Sequence, residues 1–376
     1  MRIDKIEVSH IKVPLIKPYP LSKVIGTLMD TEPIIIQIST DEGITGLGEA
    51  DPMIPFTEET TEGVKTTLKH YLGPLLIGVD PTNITKVHEI MDTKLKHNTL
   101  AKAAIDMACY DILGKQAGLP VYAVLGGCAR TKITIGGGTG AGASPEDTTK
   151  EVLAKIETGT NTFMIKVGNL SVEEDIARIR AVRKAAPQIH LIADANQGWD
   201  RHNAIFFGKR VEDCDLEFLE QPVPYWDIEG LREIRQRVNI PISVDETLCT
   251  IHDAVRVIKE EAAEVFSIKV SKSGGIYRTK EIMDLAKAFG INCWMNSMIE
   301  EGITQAASLQ LGAYARNIMD YGHSYGSPLR LEQDITTYSD QVKGNVVSIS
   351  QRPGLGIELK DDIMSKYTVE AFEVKA

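Results

Sequence analysis

From residue 132 onward the chain repeats. β-rich segments begin near Ile133, Thr162, His190, Leu216, Ile242, Val265, Asn292 and Asn317, at spacings of 29, 28, 26, 26, 23, 27 and 25 residues. Such a spacing holds one strand, one helix and two short connections. Helices are legible in the gaps. Ser144-Pro145 places proline at a first helical position. Ser171 and Glu174 have capping-box spacing ahead of the apolar stripe Ile176, Ile179 and Val182. Ile282, Leu285, Ala286 and Phe289 run up to Gly290. Units of this kind either close into a parallel (β/α) barrel or lie open as a doubly wound sheet. Eight evenly spaced units predict an α/β fold with a TIM-type barrel.

The first 128 residues read differently. Ile34–Ile38 is a strand, Asp41-Glu42-Gly43 a turn and Ile44–Glu49 the returning strand of a hairpin. Ala104, Ile105, Ala108, Ile112 and Leu113 recur at helical spacing within 101–118, and Gly118 with Pro120 stops that helix. Strands followed by helices predict an α+β domain over 1–128, ahead of the barrel over 129–349. The segment 350–376 leaves the rhythm. Pro353-Gly354-Leu355-Gly356-Ile357 reads as a turn and a strand that return to the N-terminal domain.

Composition removes several classes of function. The formal net charge is −11, from 52 acidic and 41 basic residues. No basic patch offsets it, so nucleic acid is not an expected partner. No run of about 18 apolar residues exists to span a membrane, and MRIDKIEVSH lacks the apolar core of a signal peptide. Cys109, Cys128, Cys214, Cys249 and Cys293 are scattered with no CxxC pair. They predict buried free thiols in a cytoplasmic protein, and no zinc site.

Barrel chemistry sits at the carboxyl ends of the strands. Three successive strands end in acids there: Ala193-Asp194, Leu219-Glu220 and Val244-Asp245, one repeat apart. Acids are depleted in strands, and adjacent strands lie roughly 4.8 Å apart. Three carboxylates at one level repel unless a cation joins them. The alternative is three helix-capping or surface carboxylates; the shared register favours an oxygen-only site for one Mg²⁺. Lys166 ends the strand before this cluster and Lys269 the strand after it. Facing each other across a substrate, they are candidate acid/base residues. One removes the proton α to a metal-bound carboxylate, and the other stabilises the enediolate or returns the proton on the far side. The cation is expected to depress their pKa values. Two bases on opposite faces suit a racemase or epimerase.

These residues resemble the enolase superfamily, specifically its muconate-lactonizing-enzyme subgroup in the mandelate racemase/muconate lactonizing enzyme family. The likeness covers Ala103–Lys115, Leu125-Gly126-Gly127, Asp194-Ala195-Asn196, Glu220-Gln221-Pro222, Asp245-Glu246, Lys269–Gly275 and Pro353–Gly356. It implies an α+β domain capping a modified (β/α)7β barrel, with Asp194, Glu220 and Asp245 as Mg²⁺ ligands and Lys166 and Lys269 as the acid/base pair. Strand seven carries no histidine, which separates the chain from relatives like mandelate racemase; Lys166 separates it from true enolases. Met164 stands where the family usually has the first lysine of Lys-x-Lys. Dipeptide epimerases of the subgroup carry Asp-x-Asp after strand eight, and here the segment is Asp320-Tyr321-Gly322. Muconate-lactonizing relatives have a glutamate where Ser324 stands.

Other positions are open. Met298 and Glu300 after strand seven, and Asp320 and His323 around strand eight, are candidate contacts for a small carboxylate substrate. Asn196 and Glu246 stand beside candidate ligands and would support them. Lys272 lies off the alternation of Lys269. Gly136–Gly142 suggests either a phosphate loop or a loop giving substrate room; no acid at a strand end about 20 residues on supports the phosphate loop. Specificity is expected from 19–29 and 52–57, largely apolar segments with Lys23 as an anion contact. The reading is a Mg²⁺-dependent racemase or epimerase of an amino-acid-derived carboxylate, expected as a homo-oligomer. A cycloisomerase or dehydratase is the alternative within the superfamily. A nucleotide-binding oxidoreductase barrel and a non-catalytic metal-binding barrel are the alternatives outside it.

Overall fold

The computed structural model describes residues 1–375. The N-terminal part holds an antiparallel sheet of β1 (Ile3–Ile11), β4 (Ile34–Thr40) and β5 (Thr45–Ala50), and a ribbon of β2 (Val13–Pro20) and β3 (Thr27–Thr31). Helices α1 (Thr61–Thr67), α2 (Ile84–Lys94) and α3 (Thr99–Ala117) follow. Helix α3 lies so close over β5 that a Cβ on Gly48 would sit 1.9 Å from the Ala104 carbonyl oxygen. Gly46 meets Ala108 in the same way, so the glycines of the hairpin set the helix-to-sheet distance.

The barrel strands are β7 (Gly137–Thr139), β8 (Thr162–Lys166), β9 (His190–Asp194), β10 (Leu216–Glu220), β11 (Ile242–Val244), β12 (Val265–Ile268) and β13 (Asn292–Met295), all parallel and in sequential order. Helices α4 (Pro145–Ile156), α5 (Val172–Ala185), α6 (Arg201–Val211), α7 (Ile228–Arg237), α8 (Ile251–Lys259), α9 (Ile276–Ala288) and α10 (Gly302–Tyr314) connect or follow them. Ser144 caps α4, and Ser171 with Glu174 forms a reciprocal capping box on α5. The eighth unit is irregular. Its segment closes the barrel with backbone bonds from Met319 to Cys293 and Ser324 to Met295 on one side, and from His323 to Thr134 and Gly136 to His323 on the other.

Two expectations change at the first repeat. The segment at Ile133, β6 (Lys132–Thr134), is not a barrel strand. It pairs antiparallel with β15 (Val346–Ser348), which pairs in turn with β14 (Val342–Lys343), outside the barrel. The barrel's first strand lies within the glycine run itself, where Gly137, Gly138 and Thr139 face Phe163, Met164 and Ile165. Strand pairing needs backbone, not side chains, so a run that looks like a loop by composition completes the sheet.

The C-terminal tail returns through α11 (Asp361–Tyr367) to β16 (Thr368–Lys375), which joins β1. The strand is β16, whereas Gly354 makes only an isolated bridge to Pro120. Asp106 and Asp111 on α3 bind this architecture together. Asp106 accepts from the first backbone N–H groups of α9, where the helix end favours an anion. Asp111 accepts from Leu47 and Leu355. All five cysteines are free, but Cys128 is exposed and Cys249 half-buried, so only Cys109, Cys214 and Cys293 are buried thiols. Among the described residues, no helix is long and apolar enough to cross a membrane.

Candidate active site

Alternation along the strands sorts the barrel interior into two layers. The lower is apolar: Met164, Ile192, Phe218, Val265 and Trp294 pack together. Two residues further along the same strands stand Lys166, Asp194, Glu220, Ser267 and Asn296. Asp245 and Lys269 follow β11 and β12. Lys166 pairs in register with Asp194, and Asp194 with Glu220. The carboxyl ends of adjacent strands therefore hold a band of charge above an apolar plug. Met164, in place of a second lysine, is part of that plug.

The charges are closely engaged. The Lys166 ammonium bonds to Asp194 and, at 3.0 Å, to Asn196 Oδ1. The Lys269 ammonium bonds to Asp245 Oδ2 at 2.6 Å. Lys272 bonds to the other Asp245 oxygen and to the Asp245 and Ser267 carbonyls, so it buttresses that carboxylate. Asn196 donates to Glu246 Oε1 at 3.2 Å, and its backbone N–H donates to Asp194. Burial lowers both lysines' basicity, but the carboxylates outweigh it and hold Lys166 and Lys269 above the ordinary lysine pKa.

Glu220 is the odd member. It is fully buried, and burial with Asp194 and Asp245 beside it pushes its carboxyl well above the usual range. Asn296 donates to its Oε1 at 2.9 Å, while its Oε2 has no partner. Burial and the same two aspartates raise Glu246 to about 8, and its Oε2 is also unpartnered. Among the described residues, no three acidic, histidine or cysteine side chains stand close enough to hold an ion. The donor set nevertheless suits a hard dication: oxygen-only, buried, and with an orphaned carboxylate oxygen between two aspartates.

Above this band opens a cavity of about 890 Å³. Lys166, Lys269, Asn196, Asn296 and Met298 reach it from below, and Tyr19, Leu21, Met53 and Phe56 from the N-terminal domain. The Phe56 ring lies 3.9 Å from the Lys269 ammonium. Ser22 donates to the Asn196 carbonyl, tying the ribbon loop to the mouth. Lys23, expected as an anion contact, is exposed and off the wall.

Three further candidates do not join the wall. Glu300 is buried beneath it, where it bonds to Ser297, the Met298 N–H and Gln305, and burial with Asp51 nearby raises it to about 7. His323 is 1% exposed. Its Nδ1 accepts from Met295 N–H at 3.1 Å and its Nε2 donates to the Met319 carbonyl at 2.9 Å, so both ring nitrogens serve the barrel closure. Asp320 is exposed, next to Tyr321, whose ring stacks on His190 at the start of β9. This is the floor of the barrel. At the mouth end of strand eight the wall residues are Ser324 and Gly326.

The sequence reading missed three residues with a place here. Asn296 follows Trp294 by two on strand seven, an alternation already used on the other strands. Arg178, fully buried, donates to the Lys166 carbonyl at 2.7 Å and pins the end of β8; its signal was a charge inside an apolar helical stripe. Arg330 lies beyond strand eight in an irregular stretch with no periodicity to place it.

Comparison with known proteins agrees with this architecture. Residues 5–126 match the model of the mandelate racemase / muconate lactonizing enzyme N-terminal domain, and residues 147–363 that of the enolase C-terminal domain-like family. The chain is 35% identical over 371 residues to an N-succinyl-L-Arg/Lys racemase from Bacillus cereus, covering 98% of each. The crystal structure of the N-succinyl Arg/Lys racemase from that organism superposes with a TM-score of 0.95 at 34% identity, covering all of both chains. A dipeptide epimerase from Enterococcus faecalis, solved with Mg and the dipeptide L-Leu-L-Tyr, superposes with a TM-score of 0.88 at 32% identity, covering 95% of this chain and 100% of the other. The chain belongs to the mandelate racemase / muconate lactonizing enzyme family of the enolase superfamily.

Proposed function

We propose that this family member is a Mg²⁺-dependent racemase or epimerase that moves the proton α to the carboxylate of an amino-acid derivative. The observation that carries the reading is the placement of Lys166 and Lys269. They end β8 and follow β12, with β9, β10 and β11 between them. In a ring of eight, four steps is half the circumference, so the two ammonium groups approach one substrate from opposite sides. The similarity to a racemase of N-succinylated amino acids and to a dipeptide epimerase supports the substrate class.

In this reading Asp194, Glu220 and Asp245 hold the metal, which when bound supplies Lewis-acid stabilisation of negative charge on the substrate carboxylate. Lys166 in its neutral form takes the α-proton from one face. The Lys269 ammonium, aimed by Asp245, delivers a proton to the other; the opposite enantiomer reverses the roles. Asn196 orients Lys166. Lys272 keeps Asp245 ionised, since its ammonium and that of Lys269 outweigh burial and lower that carboxyl. Phe56 lies over the Lys269 ammonium and Leu21 lines the wall from the same side, so apolar surface covers the site from above.

The test is α-proton exchange in D₂O. Purified protein with Mg²⁺ is incubated with N-acyl amino acids and dipeptides, and followed by proton NMR and polarimetry. Loss of the α-proton signal together with loss of optical rotation is expected, and chelation should stop both. Release of water, ring closure, or no exchange with any of these compounds would overturn the reading.

A further inference from the structure

Two cations on the cavity wall have no counter-ion among the described residues: Lys17, which is exposed, and Arg330, which is half-buried. Lys166, Lys269 and Lys272 each face a carboxylate, and Lys155 on the outer wall is 2.6 Å from Glu151. Arg330 has no acidic partner among the described residues. It closes the short turn Pro328–Arg330, half-buried, with its guanidinium carbon 4.4 Å from the centre of the Tyr19 ring. Its Nη2 and the Tyr19 hydroxyl both border Gly138 on β7: a Cβ there would lie 3.2 Å from the first and 3.4 Å from the second. The Tyr19 phenol is raised by burial, but Arg330 and then Lys166 more than offset this and leave it below the usual tyrosine value. Tyr19 and Arg330 meet at Gly138 on β7, the neighbour of the strand that ends in Lys166, so Arg330 sits on the Lys166 side of the cavity, along the glycine strand.

A substrate with its reacting carboxylate over Asp194, Glu220 and Asp245 extends its other end along that strand. A side chain at Gly138 would press on Arg330 and Tyr19, and one at Gly140 on Pro20. The path ends at a planar guanidinium held by an aromatic face, which suits paired hydrogen bonds to a carboxylate. The mouth end of strand eight offers Ser324 and Gly326, with no acid to receive an ammonium. We propose that Arg330 is a specificity-determining residue: it pairs with a second, distal carboxylate carried on the N-acyl group of the amino-acid derivative. This rests on the racemase reading and adds the charge of the substrate's far end.

The experiment compares N-succinyl-L-leucine, N-butyryl-L-leucine and the dipeptide L-Ala-L-Leu on the Mg²⁺-loaded protein. α-Proton exchange gives kcat/KM, and titration calorimetry gives binding. The succinyl compound should exceed the butyryl one by roughly 10- to 100-fold, mainly through KM, and the dipeptide should rank last. Arg330→Gln should bring the succinyl-to-butyryl ratio close to one, and Arg330→Lys should restore part of it. Gly138→Ala keeps the charge but crowds the guanidinium, and should lower the ratio by an intermediate amount. A wild-type ratio near one, or a ratio that Arg330→Gln leaves intact while both rates fall, overturns the inference, the latter by making Arg330 a mere support for Tyr19. Turnover without charge preference leaves the racemase reading standing. Arg330-dependent binding of the succinyl compound without exchange supports the inference and sinks the reaction.

Discussion

At the floor of the barrel, buried polar groups are matched. His323 uses both ring nitrogens, Trp294 donates to the Gly322 carbonyl at 3.0 Å, and Tyr321 stacks on His190. At the mouth, further along the same strands, like charges are packed together. Asp194, Glu220 and Asp245 are fully buried, and Glu220 and Glu246 each keep an oxygen without a partner. Backbone, sheet and alternation are common to both ends. What differs is whether the polar groups are closed among themselves or left open toward something else. A closed set stabilises the fold; an open one costs stability and is retained for chemistry.

Substitutions at the two ends should therefore move different observables. The largest effect is on turnover. Lys166→Ala and Lys269→Ala should each lower racemisation by at least roughly 10³-fold, while the circular dichroism of the Mg²⁺-loaded protein stays near wild type. A collapse of the fold in either variant would place that lysine with the floor. Next is Glu220→Gln. In a chelator it should raise stability to urea by about 1–2 kcal/mol, because a buried carboxylate between two others is removed. The wild type should gain stability on adding Mg²⁺ and the variant should not. A loss of stability without metal would mean that Glu220 is already satisfied.

The floor should respond to pH. Burial first, with Arg130 adding to it, lowers His323 from 6.5 to about 4 despite its bond to Met319. A group depressed in the folded state stabilises fully above its unfolded pKa, so this contribution is present at pH 7 and lost as pH falls from 6.5 toward 4. The full span is worth about 3 kcal/mol. Urea unfolding of wild type and His323→Gln between pH 7 and 4.5 should converge by a large part of that amount. A constant gap would contradict the neutral, buried assignment. The smallest effect is expected at Asp320→Asn, with kcat/KM within about 2-fold and stability within about 0.5 kcal/mol of wild type.

The contrast also explains what was legible in the sequence. Strand spacing and alternation are periodic, and they led to the acids, both lysines and the barrel. They stopped where periodicity stopped. Residue type alone points to Asp320 and His323 near an irregular eighth strand, and three-dimensional closure turns both to the floor. Gly137-Gly138-Thr139 pairs as a strand although its composition reads as a loop. Arg330 and Tyr19 meet only because the ribbon of one unit folds over the last turn of the other, a contact more than 300 residues apart in sequence.

The most direct measurement is deuterium incorporation into each enantiomer of one substrate by each lysine variant. With Lys166 and Lys269 on opposite faces, each single Lys→Ala variant loses racemisation but keeps exchange with the enantiomer whose α-proton faces the remaining lysine. Lys166→Ala and Lys269→Ala should therefore label opposite enantiomers. If both variants lose exchange with the same enantiomer and keep it with the other, the two lysines do not serve opposite faces, and the two-base assignment fails.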